Sequence, residues 1–262
     1  MPLVIQMSYG IGSEIEGRAE AEKLIDELLY ENPDVVATVS CGNEGPGLST
    51  AGLPACSKEV LAIGALLAKT TSRDLYGADL KSDEIFSFSS RGGEIAKPDL
   101  VCPGFAAATV PLWEEGKNVM RGTSMASPQA AGACAVLLSA LKKEGIPIRR
   151  DLIYASLRRG CQQLDGYTFL DQGYGLLNVE KAFEIYKDLI KKVEEIFSYE
   201  VETRSPRYND LKGTTVYYRG TYFPKNSERQ EIKVFVRFPI DFPEEKKMKF
   251  FNYNVFCLER CE

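Results

Sequence analysis

The chain opens on an unbroken stretch, Leu3-Val4-Ile5-Gln6-Met7, before Ser8-Tyr9-Gly10 interrupts it. That pattern predicts a short β-strand beginning almost at the first methionine. Ser13 followed by Glu16 has the spacing of a capping box, in which a hydroxyl and a carboxylate satisfy free amides at a helix start. Ile15, Ala19, Leu24, Ile25, Leu28 and Leu29 then give the predicted helix one apolar face, and Asn32-Pro33 ends it. Val35–Ser40 is a continuous β-branched run of the kind found in strands covered on both faces, and residues 60–66 form another. Strand, helix, strand in this order predicts a right-handed crossover and a parallel sheet.

Residues 70–123 read as loops, punctuated by Gly92-Gly93, Lys97-Pro98 and Pro103-Gly104. A helix is predicted over 124–143, lined by Ala130, Ala133, Leu137, Ala140 and Leu141 and stopped by Gly145 and Pro147. Further helices are predicted over 149–159 and 178–195, the second capped by Asn178. From residue 198 the texture changes. Residues 202–206 read as a linker, and 214–220, 232–239 and 249–258, rich in Tyr, Phe and Val, read as strands. The expected division is an α/β domain over 1–197 and a small β-rich domain or domain fragment over 198–262.

Composition narrows the function classes. Of 262 residues, 44% are hydrophobic and 26% charged, enough for a sizeable core. With 32 basic and 37 acidic residues the net charge is −5, and no long basic stretch occurs, so nucleic acid is not an expected partner. No run approaches the roughly 20 apolar residues of a membrane span, and the start lacks a basic leader and a small-residue cleavage site. Seven cysteines (41, 56, 102, 134, 161, 257 and 261) are scattered without a C-x-x-C pair, which reads as reduced, buried thiols and a cytoplasmic protein. The chain has no histidine, so a zinc site is not expected, and no cofactor is implied.

The chemistry concentrates at Gly122-Thr123-Ser124-Met125-Ala126-Ser127-Pro128, a glycine-led turn feeding a helix of small residues. A hydroxyl at the first turn sits at the positive end of the helix dipole, where developing negative charge is favoured. On the serine alone, a plain N-cap is much the better account of the pattern. Asn43 before a glycine is, by itself, an ordinary turn residue.

The surrounding segments change that balance. Gly-Thr-Ser-Met-Ala-Ser-Pro resembles the nucleophile signature of the subtilase family of serine proteases. Residues 5–10 resemble that family's substrate-binding strand. Ser40-Cys41-Gly42-Asn43-Glu44-Gly45 resembles its oxyanion segment. Residues 60–65, 88–92, 97–104 (with Cys102 where alanine is usual) and 173–182 are similar to further family stretches, in family order across residues 4–185. The resemblance implies an incomplete subtilisin-like parallel sheet flanked by helices, followed by a small all-β segment. It implies Ser124 as nucleophile, with the Asn43 side-chain amide and the Ser124 backbone amide as oxyanion donors. It also implies a peptide or protein substrate held as an added strand between Ser8, Tyr9, Gly10 and Ser40, Cys41, Gly42. Residues 218–223 resemble the region after the catalytic domain in the tripeptidyl-peptidase II branch, which implies a cytosolic, oligomeric exopeptidase.

A serine needs a base. In subtilases the aspartate and histidine precede the substrate-binding strand, and no residue here matches either role. The expectation is the C-terminal part of a protease whose N-terminal fragment supplies them. The alternative is an inactive pseudoprotease serving as a peptide-binding or assembly module. The missing segment would also leave the strand at Leu3–Met7 with an unpaired edge.

Overall fold

The apolar runs become the inner strands of a parallel sheet. The structure, a computed structural model, describes residues 2–12, 16–109, 113, 115, 117–192, 198–204, 212–213, 232–237 and 245. Strand β1 (Leu3–Met7) pairs in parallel with β2 (Val35–Ser40), Leu3 opposite Val35 and Met7 opposite Val39. Strand β2 pairs in parallel with β3 (Leu61–Leu67), and β3 also carries two later strands. These are β4 (Glu84–Ile85), antiparallel, and β5 (Leu100–Pro103), parallel. Because side chains alternate along a strand, Ala37, Val39 and Cys41 share one core with Leu29. Thr38 faces the other way, its hydroxyl donating to the Ser127 carbonyl. Among the described residues β1 pairs with β2 alone, and its first residue, Leu3, is 50% exposed.

The helix between β1 and β2 starts later than the capping-box reading expected. Helix α1 spans Glu20–Glu31, and Glu22, not Glu16, accepts the N–H of the residue before the helix, Ala19. Ser13 and Ile15 lie outside the described residues, while Glu16 is turned into the protein. The apolar face is narrower too. Leu29 is buried and Ile25 half-buried, but Leu24 and Leu28 are 56% and 55% exposed.

Residues 70–123 hold more structure than their turn signals suggested. Helix α2 (Lys69–Tyr76) is followed by β4, β5 and a hairpin of β6 (Phe105–Thr109) and β7 (Lys117–Arg121). Strand β5 is four residues long, too short for a periodic pattern. It is fixed by pairing to β3 along one edge and by a bridge from Val101 to Leu176. Helix α3 (Thr123–Lys143) lies across β1, β2, β3 and β5. By length and composition alone this helix is long and apolar enough to cross a bilayer, where the sequence reading found no such run. Its packing accounts for that apolarity, since Ala126, Ala130, Cys134, Leu137 and Leu141 are buried.

Helices α4 (Arg150–Gly160), α5 (Phe169–Gln172) and α6 (Val179–Lys191) follow, with Asn178 Oδ1 accepting from Lys181 N–H as expected of a cap. Beneath the sheet, Asp99 is buried and accepts from Ala62 N–H, Lys97 Nζ at 2.8 Å and Arg158 Nη2 at 2.7 Å. Burial opposes its charge, but Lys97 and Arg158 beside it hold the carboxyl below the usual carboxylate range.

The chain divides into two compact units, Met1–Ile190 and Lys191–Glu262. In the second, β8 (Ser198–Arg204) pairs antiparallel with β9 (Lys212–Gly213) and with β10 (Ile232–Arg237). Residues 202–204, read as linker, are therefore strand. Polar Glu202-Thr203-Arg204 lacks an apolar signal, and the ladder to β10 supplies the order. The strand expected over 232–239 is present as β10. Those expected over 214–220 and 249–258, and the segment 218–223, lie outside the described residues.

Candidate active site

Ser124 is the second residue of α3, half-buried, at the end of the helix where backbone N–H groups have no intrahelical partner. The helix continues past it to Pro128, which has no N–H to donate to the carbonyl four residues back. That carbonyl belongs to Ser124. It accepts instead from the Ser8 hydroxyl at 2.7 Å. A proline inside the helix therefore frees the Ser124 carbonyl, and the strand-end serine ties it down.

Asn43 follows β2 and meets the same helix end. Its Oδ1 accepts from the Thr123 N–H at 2.9 Å and from the Thr123 hydroxyl at 3.1 Å. With the oxygen engaged twice, the Nδ2 is the end of the amide left to donate, and it finds no acceptor among the described residues. Thr123 is buried, and its hydroxyl also accepts from Gly42 N–H at 3.2 Å. A Cβ placed on Gly122 would lie 3.5 Å from Asn43 Oδ1, 3.6 Å from its Nδ2 and 3.7 Å from Ser124 N, so the glycine sits beside both the Asn43 amide and the Ser124 N–H. Its φ of +155° is a backbone conformation that other residues rarely adopt. Thr123 is a residue of this candidate site with no signal of its own in the sequence. It stood inside the quoted motif, but its role of orienting the amide is visible only once residues 80 apart in the chain are brought together.

The two expected walls of the substrate channel differ in character. On the first, Tyr9 is 63% exposed, and neither the Gly10 N–H nor its carbonyl has a partner among the described residues. On the second, the Ser40 hydroxyl donates to the Tyr9 carbonyl at 3.4 Å. Cys41 N–H donates to Ile63 O and Cys41 O accepts from Gly52 N–H, while Gly42 O accepts from Ser90 N–H. Since Gly42 N–H is taken by Thr123, the main chain of Cys41 and Gly42 is fully paired within the fold. Cys41 and Gly42 therefore leave no unpaired backbone N–H among the described residues, in contrast to Gly10. The Cys41 thiol is buried, which pushes it up to about 12, so it is a packing group rather than a second nucleophile.

A serine hydroxyl at a helix start, a side-chain amide and a backbone N–H near one glycine, and an unpaired backbone edge are the kinds of group that acyl transfer uses. The family model described as "Subtilase family" matches residues 2–175. The chain is 36% identical over 210 residues to pyrolysin of Pyrococcus furiosus, covering 70% of this chain and 15% of that protein. It is 35% identical to tripeptidyl-peptidase 2 of Arabidopsis thaliana, covering 70% of this chain and 14% of that one. The chain thus spans about a seventh of these relatives' length. Among solved structures, it is similar to tripeptidyl peptidase 2 (TM-score 0.57, 28% identity, 76% of this chain and 15% of that chain). It is also similar to the prenylagaramide maturation protease PagA (TM-score 0.57, 26% identity, 70% of this chain and 61% of that chain).

Proposed function

The chain belongs to the subtilase family, and from that premise we propose that it carries the nucleophile and oxyanion hole of a serine peptidase whose aspartate and histidine lie outside its 262 residues. The observation that carries this reading is the Asn43 amide, held by Thr123 with its nitrogen free beside the Ser124 N–H. A carbonyl entering there would be attacked by Ser124 Oγ, and the oxygen would gain charge against two preset donors. The peptide would lie along Ser8–Tyr9–Gly10 and pair with the open Gly10 groups as an added strand. The absence of any histidine supports the view that the base is supplied from elsewhere, by the same polypeptide or a partner chain. The free thiols among the described residues fit a reducing, cytoplasmic setting.

The test is co-expression with an Asp/His segment from a subtilase relative, followed by a fluorophosphonate probe. Ser124 should be labelled, and Ser124→Ala should not. A folded complex that leaves Ser124 unlabelled overturns the reading.

The missing histidine also favours a second reading, a peptide-binding module without catalysis. On that reading the chain alone, purified and folded, binds extended peptides and leaves them intact, even when the Asp/His segment is supplied.

A further inference from the structure

Glu16 is 2% exposed, yet it belongs to no helix and no ion pair among the described residues. One of its oxygens, Oε2, accepts three successive backbone N–H groups, from Gly93 at 3.0 Å, Glu94 at 2.9 Å and Ile95 at 2.9 Å. Three consecutive amides on one oxygen form an anion-binding concavity, here occupied by a carboxylate of the same chain. Gly17, at φ +71°, is pressed against Ile95 so closely that a Cβ there would lie 2.4 Å from the Ile95 Cδ1. The segment that Glu16 grips is the backing of the second channel wall. Arg91 O accepts from Thr50 N–H at 2.8 Å and Ala51 N–H at 3.0 Å, and Arg91 N–H donates to Thr50 Oγ1 at 3.0 Å. Ser90 N–H donates to Gly42 O, and Ser90 Oγ accepts from Glu44 N–H at 2.9 Å. Glu16 itself lies on the chain leaving the first wall, shortly after Ile11, which exchanges both backbone bonds with Leu53.

We propose that Glu16 is a positioning residue that ties the two walls of the peptide channel together through the 89–97 segment, and so reinforces, beside the Ser40–Tyr9 and Ile11–Leu53 bonds, their separation for an extended peptide. Substrate affinity is what the tie controls first, because the Ser124 carbonyl is held by the Ser8 hydroxyl and the Asn43 side chain by Thr123, and neither bond involves the 89–97 segment. The inference rests on the peptide-channel reading above.

The experiment uses the full chain, with peptide affinity read by anisotropy of a labelled, uncleavable tetrapeptide and local order read by amide hydrogen exchange. Glu16→Ala should weaken the peptide about ten-fold. Exchange should quicken at Gly93–Ile95 and at Thr50 and Ala51 together, leaving Thr123 unchanged. Glu16→Gln keeps a carbonyl oxygen for the three amides and should bind within about three-fold of the parent chain. If Glu16→Ala does not fold, Thr50→Val removes the Arg91 N–H bond to Thr50 Oγ1 at the other end of the tie, leaving its two backbone bonds, and should weaken the peptide in the same direction by a smaller factor. Faster exchange confined to Gly93–Ile95 with unchanged affinity overturns the inference and leaves the channel reading standing. A parent chain that binds no peptide overturns the channel reading itself, and the inference with it.

Discussion

A single hydrogen-bond assignment decides what Asn43 can do. With Oδ1 accepting from both groups of Thr123, the amide presents a donor, and the reverse orientation would present an acceptor to a developing oxyanion. Asn43→Leu in the assembled protease should lower turnover by about 10²–10³, the range known for the loss of such a donor in a subtilisin, with little change in peptide affinity. Thr123→Val keeps the backbone bond and loses the hydroxyl one, so turnover should fall by about ten-fold, again with affinity unchanged. Steady-state kinetics that put either loss into KM would contradict this assignment.

Helix α3 works because of a residue that weakens it. Pro128 removes one rung of the helix, and the vacated Ser124 carbonyl becomes the attachment point for Ser8. Ser8→Ala should cost about 1 kcal/mol in urea unfolding, since the carbonyl loses a partner that the helix cannot replace. The same variant should slow probe labelling of Ser124 more than its stability loss explains. The buried face of α3 bears on a second measurement. Burial pushes the Cys134 thiol on this helix, like Cys41, up to about 12, so neither forms appreciable thiolate near neutral pH. Iodoacetamide should therefore leave both unmodified in the native chain and alkylate them at the rate of unfolding, as read by mass spectrometry.

Across the first unit, the Asp99 cluster joins β3, the residues leading into β5 and α4. Its folded pKa lies below the ordinary value of 3.8, so the stability it adds is present above that value and is lost as pH falls through the lower folded one. Urea midpoints should hold steady above the ordinary value of 3.8 and drop as pH falls below it, and Asp99→Asn should flatten that drop. Asp99→Asn should also cost about 3–5 kcal/mol near neutral pH, because Lys97 and Arg158 are left as cations without their shared anion.

Where apolar runs were long and β-branched, as at Val35–Ser40, the chain alone determined strand, order and burial, since such a run has no other way to leave water. The glycine-led serine motif and its companions likewise stood in the chain as local chemistry. Short-range patterns misled where a residue's partner lay far away. Glu16 has the spacing of a helix cap, yet it serves amides 77–79 positions on. The four residues of β5 carry no period of their own and became a strand through β3 and Leu176. The orientation of the Asn43 amide, the release of the Ser124 carbonyl to Ser8 and the inward turn of Glu16 were all decided by tertiary structure. Each depends on a hydrogen bond whose two ends are brought together only by folding, and a local pattern records just one of those ends.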